Sequence, residues 1–414
     1  MTHASEACGS HFIALFTLLT GSMNTIIMKM QFDMVAQGTE QCDVGDGITS
    51  LRCAFHKPWF GVLQVKLGMT LCLVYLVIRK KLLHRPYLET PLPLHDPTHT
   101  HKLFVAVQEW PSTRTLVATV VPAALDLVQS IFSFVGLLWI PASVYQMSGG
   151  SMLIFSAFIS VKFMHVHLFL YNYISLALVA FALVLVSIAG SSHESASAPS
   201  DAWNTLVGMV FILLSRLGYS VNIAIEEYFM TTLHVSPILQ AGMEGVWGLV
   251  LFVPLVPLLT WTEPGSSAVA KIWHEDFVDT WAKLQQSPAL VGLVVVYVLS
   301  IAAYNVRSTV AANWVTKHMS SIVRSMIENG RTLGVWVIGL FLYYVCSRPA
   351  TSPKMGEPWT SSSWLEVVGF ILMVVATLAV SRLGDLMHST NSTYKRVLRY
   401  PCVSFYRDDF APIH

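Results

Sequence analysis

Apolar residues along this chain gather into ten runs, near 11–31, 58–79, 115–138, 141–162, 168–190, 203–230, 236–259, 288–311, 319–346 and 364–383. About 20 helical residues, each rising 1.5 Å, cross the roughly 30 Å hydrocarbon core of a bilayer. The pattern therefore predicts ten transmembrane helices. The stretch 82–113, rich in Pro, His and Thr, reads as a loop, and the Ser/Ala/Pro stretch 191–202 as a disordered linker. Within 268–285, Ile272, Trp273, Phe277, Trp281 and Leu284 recur at helical spacing, which predicts a short helix lying in the membrane interface.

The pattern also repeats. A-A-L-Asp126-L in one run and A-A-Y-Asn305-V in another are offset by 179 residues, and the same offset superimposes Pro58 on Pro237, Val144 on Val323 and Met147 on Met326. Ser22-x-Asn24 likewise matches Ser220-x-Asn222, across a different loop length. Successive spans alternate in direction, so a repeat that restarts after five spans is inserted upside down. The expected fold is an all-α membrane protein whose ten helices form two inverted five-helix repeats around a central cavity. Residues 1–190 would form the first repeat and 191–202 the linker. Residues 203–383 would form the second repeat and 384–414 a tail.

Composition agrees with a membrane protein: 54% of the 414 residues are hydrophobic and 12% are charged. The net charge of +1 excludes little, because local charge sets the partners of such a protein. Lys and Arg near the span ends concentrate on one side, including Arg79, Lys80, Lys81, Arg85, Arg114, Lys162, Lys317, Arg382 and Lys395. By the positive-inside rule both termini face the cytosol. The first run lacks a basic leader and a small-residue cleavage site, so it reads as a retained span. Cys42 and Cys53 share the first non-cytosolic loop, where an oxidising lumen would permit a disulfide; Cys8, Cys72 and Cys402 read as ordinary thiols.

Polar residues inside the runs are the candidates for chemistry, since charge in hydrocarbon is costly unless it faces water, a partner or a substrate. Asp126 is the foremost, either as a titrating or substrate-contacting group or as a carboxylate satisfied by a neighbouring helix. Asn305 removes the charge at its symmetric position. Span nine carries Arg324, Glu328, Asn329 and Arg331; Arg324 and Glu328 can pair at i,i+4 with Arg331 three beyond, either as an internally neutralised network that locks the helix or, if one arginine escapes pairing, as a clamp for an anion. Its counterpart in span four offers Tyr145, Gln146 and Ser148 beside Gly149 and Gly150. Glu244 lies about two turns inside span seven, Glu226 and Glu227 lie near the boundary, and Lys66, Arg216 and Arg307 supply the opposite sign. The glycines of Gly242-x-x-Gly245-x-x-Gly248 read as a packing seam. His95, His99, His101, His165 and His167 do not form the regular boxes of membrane metalloenzymes, so neither an enzyme nor a metal or other cofactor is expected.

Five motifs carry a family resemblance: T-G-S-M-N-T at 20–25, V-P-A-A-L-D at 121–126, A-S-V-Y-Q-M at 142–147, E-E-Y at 226–228 and M-E-G at 243–245. With them the chain resembles the drug/metabolite transporter superfamily, in the orphan endomembrane branch related to nucleotide-sugar and chloroquine-resistance transporters. The resemblance implies a cavity walled by spans 1–4 and 6–9 and alternating access by rocking halves. It implies that Asp126, Tyr145 and Gln146 line that cavity, with Glu244, Asn305 and span nine facing them. Two departures stand out. Ser148-Gly149-Gly150 replaces the usual basic residue after Q-M, and the F-Y-N-N and G-A-L-N-K signatures of GDP-mannose carriers are missing.

The sequence thus reads as a secondary transporter of a small zwitterionic or anionic metabolite, such as an amino acid or short peptide, with proton coupling open. Asn24 and Asn222 join the candidate substrate residues. A nucleotide-sugar exchanger and a transport-inactive scaffold or receptor are the alternatives. The expected partners are the lipid bilayer and the substrate, with no nucleic acid and with a homodimer as the oligomer to consider. Tyr394-Lys-Arg-Val397 has the form of a sorting signal and points to an endomembrane, lysosome or vacuole or else Golgi, while the Asn391-Ser-Thr sequon is expected to stay unglycosylated on the cytosolic side.

Overall fold

A computed structural model describes residues 20–43, 49–82, 111–152, 154–155, 158–159, 170–194, 199–231, 233, 235–262, 273–318, 334–346, 356 and 358–390. Helix α1 covers 20–33 and leads into an antiparallel hairpin, β1 (Val35–Asp43) and β2 (Thr49–Ala54). Val35 pairs with Ala54 and Cys42 with Ser50, with a bulge between Gln37 and Cys42. Then come α2 (Pro58–Leu82), α3 (Thr113–Ala118), α4 (Val120–Trp139) and α5 (Ala142–Met147), the last closing in a 3₁₀ turn at Ser148–Gly150. The second part of the chain supplies α6 (Leu170–Glu194), α7 (Pro199–Thr231), α8 (Pro237–Phe252) and α9 (Leu255–Trp261). It continues with α10 (Phe277–Gln286), α11 (Pro288–His318), α12 over 334–341 and α13 (Ser363–Thr390).

Prolines set several breaks. Pro122 has no N–H to give to the Ala118 carbonyl, and the helix is interrupted at Thr119. Ile140, extended ahead of Pro141, ends α4. Pro254 and Pro257 accompany the 41° bend between α8 and α9. Among the described residues four helical stretches are long and apolar enough to cross a membrane: Pro58–Ile78, Thr113–Trp139, Trp203–Glu226 and Pro288–Val306. The bent α8–α9 pair would make a fifth. The protein is therefore a mostly helical, multi-pass membrane protein, while the described spans do not reach the expected ten.

Two local expectations need correction. The linker 191–202 is not a loop at its ends: α6 runs to Glu194 and α7 begins at Pro199, a residue suited to a first helical turn. The interfacial helix starts at Phe277, where Asp276 caps it by accepting from the Val278 N–H, while 263–272 lie outside the described residues.

Small residues bring the helices together. A Cβ on Gly245 would lie 2.4 Å from the Thr70 nitrogen, and Gly242 and Gly248 press on Leu73 and Lys66, so α8 runs antiparallel to α2 along this seam. Gly136 meets the Gly208 carbonyl in the same way, setting α7 antiparallel to α4. Phe32, Trp59, Leu127, Phe134 and Phe252 pack between these elements as the main core cluster.

Helix α4 has two faces. At 100° per residue, Asp126, Gln129 and Ser133 share one face, and Ala124, Val128 and Phe132 share the opposite one. The second face lines an apolar recess of about 420 Å³ together with Trp59, Leu251 and Trp273. Polar chemistry is confined to the first.

Candidate functional site

Asp126 is the central residue of the 27-residue span Thr113–Trp139. Its Oδ2 accepts from the ammonium of Lys66 on α2, and its Oδ1 accepts from Gln129 Nε2 at 2.6 Å, one turn along the same helix. Lys66 is wholly buried. A lysine at that depth persists only with a partner, and the Gly248 gap on α8 makes room for its stem.

Two more carboxylates approach this pair from the second part of the chain. Glu244 on α8 is buried and accepts from Gln240 Nε2 at 2.7 Å, four residues back. Glu226 on α7 accepts from Asn222 Nδ2, again at i,i+4 spacing. Both lie within Coulombic range of Lys66 and Asp126, and Glu244 within range of Glu226. The seams that place Gly245 on Thr70 and Gly218 on Gln129 bring these helices to the same level.

A second polar group sits further along the same face of α4. Tyr145 on α5 shares a 2.6 Å hydrogen bond between its hydroxyl and Ser133 Oγ. The guanidinium of Arg216 on α7 stacks 4.7 Å from the Tyr145 ring centroid and donates to the Tyr145 carbonyl at 3.1 Å. Its Nε is buried without an acceptor. Gln146 accepts from Thr25 on α1 at 3.1 Å, and Ser148 donates to the Tyr145 carbonyl at 2.6 Å. Lys29 is satisfied by the carbonyls of Leu137 and Leu138 in the last turn of α4, where a positive charge also suits the helix dipole.

The structure thus groups Asp126 with Glu244 and Asn222, and Tyr145 with Gln146 and Ser148. Asn305 donates to its own helix at the Ile301 carbonyl, 3.0 Å away, and Asn24 keeps a buried, unbonded Oδ1 on α1. Arg324, Glu328, Asn329 and Arg331 lie outside the described residues. Gln129 and Gln240 are new to the site, and Lys66, Glu226 and Arg216, which the sequence offered as charges without a place in it, join them. The i,i+3 and i,i+4 spacings of Asp126/Gln129, Asn222/Glu226 and Gln240/Glu244 were legible signals for three of them.

Another polar network holds the hairpin. Cys42 and Cys53 are joined by a disulfide between β1 and β2. The buried Asp279 of α10 accepts from the Thr39 and Glu40 N–H groups at 2.7 and 3.0 Å and pairs with Lys57 and Lys283. Burial alone would raise the Asp279 carboxyl, but Lys283, the Glu40 N–H and Lys57 outweigh it and hold it well below the usual range. Burial likewise opposes the Lys57 ammonium, yet Glu40 and Asp279 hold it above the ordinary lysine value. Glu275 accepts from the Trp59 and Phe60 N–H groups at the start of α2, both at 2.9 Å, and burial pushes its carboxyl up to about 7. The charged side of α10, with Asp279 and Lys283, is therefore its buried side, while Trp281 and Val278 are exposed. Among the described residues no group of His, Cys, Asp and Glu forms a metal site.

No family model matches the chain. An uncharacterized protein of Schizosaccharomyces pombe is 27% identical over 364 residues, which cover 87% of this chain and 94% of that protein. Solute carrier family 35 member F6 of Homo sapiens is 24% identical over 371 residues, covering 88% and 87% respectively, and its Mus musculus counterpart is 24% identical over 369. A crystal structure covering 91% of this chain and 98% of its own aligns at a TM-score of 0.39 with 11% identity, too distant to support a fold assignment. Over most of its length the chain is thus similar to proteins named solute carrier family 35 member F6.

Proposed function

We propose that this protein is a secondary active transporter that moves a small zwitterionic metabolite, such as an amino acid or short peptide, across an endomembrane by alternating access. The observation that carries the reading is the Lys66–Asp126 ion pair in the middle of a span, met by Glu226 and Glu244 from the second part of the chain. Charge at such depth is expensive, and it is retained where it serves a path for a polar solute. The similarity to proteins named solute carriers supports a carrier rather than an enzyme.

Two features favour a zwitterion. The Asp126 cluster is rich in acceptors, and Arg216 with its unbonded Nε lies about 10 Å further along the same face, by the rise from position 126 to 133. A short peptide of about three residues, at roughly 3.5 Å each, presents its two terminal charges over such a distance, whereas a free α-amino acid would engage one end at a time. In this reading two inverted repeats, 1–190 and 203–383, rock about that face, both termini are cytosolic and the disulfide-bonded hairpin is lumenal. Asn24, Asn305 and the span-nine residues Arg324, Glu328, Asn329 and Arg331 complete the path, and the compartment is a lysosome, vacuole or Golgi.

The test is uptake into proteoliposomes of a panel of amino acids, short peptides and nucleotide sugars at pH 5.5 and 7.5. Saturable uptake of an amino acid or peptide supports the proposal, and a difference between the two pH values would reveal proton coupling. Uptake of nucleotide sugars alone would make the protein an exchanger of that class. No saturable uptake at either pH would favour a scaffold or receptor.

A further inference from the structure

Among the described residues the central cluster has more acceptors than donors. Asp126, Glu226 and Glu244 there set three carboxylates against the one ammonium of Lys66. Each carboxylate already receives an amide N–H, from Gln129, Asn222 and Gln240 in turn. Two of those amides have an oxygen left over: Asn222 Oδ1 and Gln240 Oε1 are buried with no donor, in side chains 0% and 2% exposed. Turning either amide over does not help, because its oxygen would then face a carboxylate oxygen. An unsatisfied buried acceptor costs about 1–3 kcal/mol, and unbalanced buried charge costs more. The missing component is a cation that brings several N–H donors.

We infer that the cluster is the seat of a primary ammonium group, held between Glu226 and Glu244 with Asn222 Oδ1 and Gln240 Oε1 as further acceptors. This deepens the transporter reading and rests on it, since the ammonium belongs to the metabolite carried. A primary ammonium has a full charge and three donors, which matches two carboxylates and the amide oxygens beside them. A quaternary ammonium has the charge but no donor and would leave both amide oxygens unsatisfied. An N-acylated amine lacks the charge.

Thermal unfolding of the purified full-length protein in detergent, at pH 7.0 and fixed ionic strength, tests this without requiring transport. Putrescine and glycine are the probes, against N-acetylglycine and tetramethylammonium. The expected result is a saturable rise in Tm with the two amines and none with the controls. Glu244→Gln and Glu226→Gln should each raise the half-saturating amine concentration about tenfold or more, the loss of one charge-assisted bond. Two variants are used so that misfolding of one leaves the other readable. Equal shifts with tetramethylammonium, unchanged half-saturation in both variants, or a Tm that follows pH but not amine would overturn the inference, the last assigning the cluster to protons alone. Amine-dependent stabilisation without uptake in proteoliposomes would keep the ammonium seat and sink the transporter reading. Uptake of a metabolite lacking an amino group, with no amine effect on Tm, would do the reverse.

Discussion

Lys66 on α2 and Asp126 on α4 form an ion pair that is buried at the centre of a transmembrane span. Among the described residues the lysine is the one cation placed against three carboxylates, so the two members of the pair are not equivalent. Lys66→Met leaves Asp126, Glu226 and Glu244 with no counter-charge and is expected to lower stability by about 3–5 kcal/mol. Asp126→Asn leaves Lys66 with two other carboxylates and should cost clearly less. The double variant Lys66→Met/Asp126→Leu should recover part of the loss of the single lysine change. Thermal unfolding of the four proteins in detergent checks the order, and equal losses for the two single variants would refute it.

The glycine seam between α2 and α8 makes a sharper steric prediction. A Cβ on Gly245 meets backbone at Thr70 and Met69, which cannot swing aside, whereas a Cβ on Gly292 of α11 meets nothing within 4 Å. Gly245→Val should therefore destabilise by about 1–3 kcal/mol or more through forced separation of the helices. Gly292→Ala should be neutral or mildly stabilising, by up to about 1 kcal/mol of helix propensity. The pair of Tm values provides the check.

The hairpin end responds to pH with a defined sign. Glu275, with its carboxyl raised from 4.5 to about 7, binds a proton in the folded protein over a window in which the unfolded chain has lost it. Its contribution therefore grows as pH falls from above 7 toward 4.5 and is lost as pH rises. Asp279 works in the opposite sense: its depressed carboxyl contributes stability above the ordinary value of 3.8 and loses it only at lower pH. The raised Lys57 contributes below the ordinary 10.5 and loses its share only in the alkaline range above that. Between pH 7.5 and 5 the Glu275 contribution raises Tm on acidification, while His56, held below its ordinary 6.5 by burial and by Lys29, opposes that rise as the unfolded chain takes up a proton. In Glu275→Gln this rise should shrink, and an undiminished rise would place the pH dependence elsewhere.

How far these sites were legible in the sequence depended on what surrounded each residue. Asp126 stood out because a lone carboxylate in an apolar run has few benign explanations. Lys66 was visible only as a countercharge, since nothing in a one-dimensional pattern says that Gly248 opens the space for its stem. Glu226 read as a residue near the span boundary, whereas in the structure it accepts from Asn222 and lies within Coulombic range of Lys66 and Asp126. Asp279 and Lys283 had the spacing of a solvated helix face. Their burial depends on the hairpin laid over them, with Gly38 so close to Asp279 that a side chain there would collide. The prolines and glycines that bend α8 into α9 and join α8 to α2 were readable, because their effect is local.

The disulfide offers a prediction about placement as well as stability. A two-stranded hairpin is marginal on its own, and the bond between Cys42 and Cys53 closes its eleven-residue separation. Replacing both cysteines by serine should destabilise the protein by about 2–4 kcal/mol, concentrated in the hairpin and its contacts with α10. In protein isolated from cells, Cys42 and Cys53 should resist alkylation until a reductant is added. Alkylation of both before reduction would contradict a hairpin facing an oxidising lumen.

The most direct measurement of the central claim, that the buried charge cluster is where the solute is held, is uptake of amino acids and short peptides into proteoliposomes by the wild type and Glu244→Gln side by side, at equal amounts of folded protein. Saturable uptake is expected from the wild type, and uptake near the level of empty liposomes from the variant. Equal saturable uptake by both would contradict it.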